Sequence, residues 1–230
     1  MSDIAFILID PPNKATSLVK EWQHAFAQHL QPKDLERFTF VETRLSQLQA
    51  ESADHATFDC IVSPANSYGI MDGGFDYYLS KALSPPGNFL ALTRLVQAAI
   101  RKRYYGFAPP GSCILVPGLP PNDFACKTIA VCPTMRYPED ITWHKDIVYN
   151  TMWSLLVELE HWNKRVSVED RINRVVMSGL GTGAGRIPAT ECARQMALAV
   201  KHFLYGRREE GDGEEDLFSW DKALGLAEEV

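Results

Sequence analysis

Chemistry-bearing residues concentrate in two stretches of the chain. The first is Ser63-Pro64-Ala65-Asn66-Ser67-Tyr68-Gly69-Ile70-Met71-Asp72-Gly73-Gly74-Phe75-Asp76. It places an amide side chain, a glycine pair and a carboxylate within eleven residues, directly after an apolar run that reads as a strand. Adjacent glycines let the backbone approach a ligand closely, and Phe75 opens a segment with helical character whose free N–H groups favour an anion. Asp76 admits two readings. A carboxylate there can orient or deprotonate a water molecule, and an Asp in the first turn of a helix is also stabilised by the helix dipole with no chemistry attached.

The second stretch is Ser178-Gly179-Leu180-Gly181-Thr182-Gly183-Ala184-Gly185-Arg186-Ile187-Pro188, between the last strand-like run and the last helical one. Four glycines in seven residues cost conformational entropy unless backbone freedom or proximity is needed. The segment offers bare N–H groups, one hydroxyl at Thr182 and one cation at Arg186. A helix terminus contributes about 0.3 to 2 kcal/mol to a nearby anion, so one such loop says little. Two at equivalent strand ends describe a clamp for a diphosphate.

The better-known nucleotide signatures are missing. There is no GxxxxGK[ST], and the first strand runs into Asp10-Pro11-Pro12-Asn13 where a dinucleotide fingerprint would stand. No GxSxG elbow supports a hydrolase triad. The six histidines show no metal-ligand spacing, and no metal is expected.

The elements that must position these loops follow from periodicity. Short apolar, β-branched runs at Ile4 to Ile9, Phe38 to Glu42, Phe58 to Ser63, Cys113 to Val116, Thr128 to Cys132 and Ile172 to Met177 predict six strands. Several are apolar at nearly every position, as expected of strands covered on both faces. Between them lie helical stripes: Leu18, Trp22 and Phe26; Leu90 to Tyr104; Val148, Met152, Leu155, Leu156 and Leu159; and Ala189, Ala193, Met196, Val200 and Phe203. The alternation predicts an α/β domain with a mostly parallel sheet between helices. In open sheets of this kind, ligands bind at the carboxyl ends of the strands, where both glycine loops fall.

These residues resemble the macro domain family. IVSPANSYGIMDGGFD is similar to that family's strand, Asn, Gly-rich loop and Asp, and GLGTGAGRIPATECARQM to its second phosphate loop and following helix. The likeness spans most of the chain from Phe38 to Leu204, and SPAN with GGFD looks most like the fungal ADP-ribose-1''-phosphate phosphatase branch. It implies a three-layer αβα fold with a central mixed sheet that binds ADP-ribose or a derivative, without a cofactor. Asn66 would hold the distal ribose, with Ser67 and Asp72 beside it, and Asp76 would act on a water. Gly73, Gly74 and Phe75 would line one side of the diphosphate; Gly181, Thr182, Gly183, Ala184, Gly185 and Arg186 would line the other. Glu42 is the expected reader of the adenine amine, with Asp10 as the alternative. The chain departs from the pattern at Ser80, where many relatives that hydrolyse ADP-ribosyl groups carry His, at Asp72, which replaces a glycine, and in lacking an aromatic residue in the second loop. The function implied is hydrolysis of ADP-ribose-1''-phosphate, with a non-catalytic ADP-ribose reader or removal of ADP-ribose from protein or nucleic-acid ends as alternatives.

Composition bounds the partners. The chain has 230 residues and a formal charge of −6. From Arg207 to Val230 there are nine acids against three bases, so the preceding residues balance to zero. A neutral body argues against tight nonspecific nucleic-acid binding, which needs many phosphate-neutralising side chains. Five cysteines without CxxC spacing and no apolar run of membrane-spanning length predict a reduced, cytoplasmic or nuclear monomer with no membrane partner. An ADP-ribosylated protein is the alternative to a free small molecule as ligand. The expected organisation is a domain over residues 1–206 and an acidic tail over 207–230, whose end is read either as a short docked helix or as disordered.

Overall fold

Side chains that alternate along each strand divide the apolar residues between two cores. Phe6, Leu8, Val62, Val175 and Met177 belong to one; Ile7, Ile9, Ile61, Ile129 and Val176 belong to the other. A computed structural model describes residues 4–12, 16–51, 56–209 and 219–230. In chain order the elements are β1 (Ala5–Asp10), α1 (Leu18–His29), the single turn α2 (Pro32–Leu35), β2 (Phe38–Glu42), α3 (Leu48–Glu51), β3 (Cys60–Ser63), α4 (Gly74–Leu83), α5 (Ala91–Tyr104), β4 (Ile114–Pro117), β5 (Thr128–Val131), α6 (Ile147–Arg165), β6 (Arg174–Met177), α7 (Ala189–Glu209) and α8 (Trp220–Glu229).

The six strands form one sheet in the order β2-β1-β6-β3-β5-β4, parallel throughout except for antiparallel β4 on β5. Helices α1, α6 and α7 cover one face, with Trp22, Leu155 and Met196 fully buried there; α4 and α5 cover the other through Leu79, Leu83 and Val96. This is the three-layer αβα arrangement with a mixed sheet expected from the sequence. Two strands, β3 and β6, begin two residues later than their apolar runs. The Phe58 amide bonds to the Phe124 carbonyl, and the Ile172 amide to the Asn163 side chain at 2.8 Å, so both residues are buried outside the ladder.

All five cysteines are free and buried. Among the described residues, no helix is long and apolar enough to cross a membrane. The stretch 207–230 falls partly outside the described residues. Its described end is a helix, α8, capped at its start by Ser219, whose hydroxyl accepts from the Lys222 amide. It lies against α7: Arg194 donates to the Glu229 and Val230 main-chain oxygens at 2.8 and 2.6 Å, and the Glu229 carboxylate meets Lys201 and His202.

Candidate functional site

Because β6 lies between β1 and β3, the loops that leave β3 and β6 emerge side by side at the same edge of the sheet. Each is pinned from behind. In the first loop, Asn66 Nδ2 donates to the Ile70 carbonyl at 2.7 Å while its Oδ1 accepts from the Tyr68 and Ile70 amides at 3.1 and 3.3 Å. Met71 is held by Thr93 through its amide and by Ser80, whose hydroxyl donates to the Met71 carbonyl at 2.6 Å. The chain then runs out through exposed Asp72, Gly73 and Gly74 into α4. Gly73 is the N-cap and brings no capping side chain, so the first N–H groups of α4 are left for another acceptor.

The second loop coils on itself. Arg186 and Ile187 donate their amides to the Gly183 and Gly181 carbonyls, and Ile141 donates to Gly185. Gly181 has φ +70°, and a Cβ at Gly185 would lie 2.5 Å from the Gly181 oxygen, so both positions require glycine. Gly183 differs: a Cβ there would meet nothing within 4 Å.

Between the loops lies a cleft of about 240 Å³. Of the residues expected at the site, it is lined by Asn66, Asp72, Gly73, Gly74, Phe75, Asp76, Gly181, Gly183 and Ala184. Five others sit elsewhere. Ser67 is buried behind the loop with its hydroxyl on the Met135 carbonyl. Gly185 faces the Gly181 backbone, Thr182 packs beneath Gly179, and Arg186 turns outward to Asp140 at 3.6 Å. Glu42 accepts from the Ser17 hydroxyl at 3.1 Å and lines neither this cleft nor its neighbour.

The neighbour is a second pocket of about 180 Å³ at the ends of β1 and β2, walled by Asp10, Pro11, Arg44, Leu45 and Tyr78. It shares Phe75 and Ser178 with the first, so the two are halves of one groove. Asp10, the alternative to Glu42, therefore stands in this groove. Burial, reinforced by Glu42, raises its carboxyl to about 6. Thr134, Met135 and Pro138 complete the wall of the first cleft from the chain after β5. These have only a weak sequence signal, a strand-end loop with no glycine, and Ser178 has none beyond its place ahead of the second loop.

Asp76 sits on the first turn of α4, 6% exposed, and accepts a 2.6 Å hydrogen bond from Ser63 at the end of β3. Burial raises its carboxyl to about 7; the Ser63 hydrogen bond opposes this and the charge of Asp72 adds to it. A carboxyl that titrates near neutrality beside a cleft can accept or return a proton. Among the described residues, no group of three or more His, Cys, Asp or Glu side chains is placed to hold a metal ion.

No family model matches the chain. An uncharacterized protein of Aquifex aeolicus (strain VF5) is 26% identical over 172 residues, which cover 73% of this chain and 90% of that protein. Among solved structures, the chain is similar to the Oceanobacillus iheyensis macrodomain with ADP, at 19% identity and TM-score 0.49 over 75% of this chain and 86% of that one. It is also similar to the macrodomain of Mycobacterium tuberculosis DarG, at 17% identity and TM-score 0.46 over 64% of this chain and 84% of that one.

The two glycines predict opposite outcomes. Gly183→Val should fill the cleft and leave the melting temperature within about 2 °C of wild type, whereas Gly185→Val should destabilise by roughly 1 to 3 kcal/mol through overpacking. Thermal melts of both variants check this, and equal losses would contradict it. Asp76 predicts a pH effect on stability. Between the unfolded value near 3.8 and the folded value near 7, the native state keeps a proton that the unfolded chain has lost, so this contribution falls as pH rises through that window. Asp76→Asn stays neutral, and its melting temperature relative to wild type should climb by several degrees from pH 4 to pH 8, with a ceiling of roughly 4 kcal/mol. A difference that does not change with pH would contradict the burial argument.

Proposed function

We propose that the groove binds ADP-ribose and that the protein hydrolyses ADP-ribose-1''-phosphate to ADP-ribose and phosphate. The observation that carries this is the placement of two glycine loops on adjacent strands, facing one cleft that also contains Asp76. The groove's two halves, about 240 and 180 Å³, together reach the size of a nucleotide site, on the order of 300 to 1,000 Å³. The smaller, more apolar half suits adenine, with Asp10 as acceptor for its amine. The diphosphate would lie between Gly73–Phe75 and Gly181–Ala184, on main-chain N–H groups and the start of α4. This is the layout that the resemblance to macro domains implies, with Asp10 taking the place first given to Glu42.

At the distal ribose, Asn66 has one N–H not engaged by its own loop and can donate to a ribose hydroxyl. In the reaction, ionised Asp76 takes a proton from water as the water oxygen attacks phosphorus. The bond from phosphorus to the 1'' oxygen breaks, phosphate leaves, and Asp76 returns the proton to the 1'' oxygen, giving ADP-ribose and regenerating the carboxylate. Binding without turnover is the second reading. It is favoured by Ser80, which is engaged by the Met71 carbonyl and does not line the cleft.

Phosphate release measured across pH separates the two. Turnover should rise with pH through a midpoint near 7 as Asp76 ionises, and Ser63→Ala should move that midpoint upward by removing the hydrogen bond that holds the carboxyl down. Asp76→Ala should lose about 100-fold or more in kcat while keeping its ADP-ribose affinity. Unchanged turnover in Asp76→Ala rejects the assignment, and tight ADP-ribose binding by a wild type that releases no phosphate selects the reader.

A further inference from the structure

Three buried hydroxyls around the cleft are engaged: Ser63 with Asp76, Ser67 with the Met135 carbonyl, and Ser80 with the Met71 carbonyl. Thr134 differs from these. Its Oγ1 is fully buried and, among the described residues, has no hydrogen-bond partner. Its main chain is fixed, with the amide donating to the Ala65 carbonyl at 3.0 Å, and the residue lines the same cleft as Asn66 and Asp76. A buried hydroxyl without a partner loses its hydration for no return, a cost that a valine of the same shape would avoid. In a ligand cleft, the missing partner is supplied by what binds there.

The sheet order says which part of the ligand that is. Strands run β2-β1-β6-β3-β5, the smaller pocket lies at β1 and β2, and the glycine loops leave β6 and β3. Thr134 follows β5, at the far end of the groove from the smaller pocket. On the reading of the groove as an ADP-ribose site, we propose that Thr134 is a specificity-determining residue whose hydroxyl hydrogen-bonds an oxygen at the ribose end of the ligand, beside Asp76. Ribose hydroxyls and phosphoryl oxygens both suit it, because a threonine hydroxyl donates or accepts. The oxygen is closed off from solvent although the residue lines the cleft, so the contact requires rotation of χ1 or settling of the wall around the ligand.

Calorimetric titration of wild type, Thr134→Val and Thr134→Ser with ADP-ribose and with ADP tests this, alongside melts of the free proteins. ADP lacks the terminal ribose and ends short of Thr134. Thr134→Val should bind ADP-ribose about tenfold more weakly, equivalent to about 1.4 kcal/mol, and bind ADP within twofold of wild type. Thr134→Ser should restore ADP-ribose affinity, and the free Thr134→Val protein should melt at or above the wild-type temperature. Equal ADP-ribose binding by Thr134→Val, or equal weakening for both ligands, overturns the proposal and leaves the groove's assignment standing. A lower melting temperature with unchanged ADP-ribose affinity shows a hydroxyl that serves only the fold, and also overturns it. A wild type that binds neither ligand removes both readings.

Discussion

The parallel pairing of β3 with β6 governs the site. Cys60 lies opposite Val175 and Ile61 opposite Val176, so two strands separated by more than a hundred residues of chain deliver their following loops to one place. Inserting any strand between them would separate the loops by a further ~5 Å and break the clamp. The pairing is itself secured by burial on both faces, with Val175 in one core and Val176 in the other. What looks like a loop-based site therefore rests on a strand pair buried inside the sheet.

The loops also divide their labour between back and front. Asn66, Ser80 and Thr93 use side-chain hydrogen bonds to hold the first loop in shape, and carbonyls of Gly181, Gly183 and Gly185 close the second. Fixing the back in this way leaves front N–H groups already oriented, which lowers the ordering cost of binding. A similar balance governs Asp76. Its carboxyl is buried enough to titrate near 7, yet Ser63 keeps it from rising further, and Asp72 at the mouth pushes the other way. The charge state is thus set by burial together with two residues of the same segment, Ser63 and Asp72.

Much of this is legible in the sequence because it is local. The six strands are visible as apolar runs, and the two glycine loops with Asn66 and Asp76 as short motifs. What cannot be read is direction. Arg186 reads as a cation for the ligand, but a left-handed backbone conformation, φ 57°, turns it toward Asp140. Gly185 reads as part of the cradle and instead packs on Gly181. Glu42 and Asp10 end neighbouring strands in register, yet only Asp10 lines the groove, because Glu42 is drawn to Ser17 at the start of α1. Thr134 carries only the weak signal of a strand-end loop, and that its buried hydroxyl has no hydrogen-bond partner among the described residues is visible only in three dimensions.

Both loops are proposed to grip one ligand together. Nuclear magnetic resonance titration of the isotope-labelled protein with ADP-ribose tests it most directly. The amides of Gly73, Gly74, Gly181 and Gly183 should shift in concert and fit a single dissociation constant. Shifts confined to one loop, or fitting two unrelated affinities, would contradict the shared clamp.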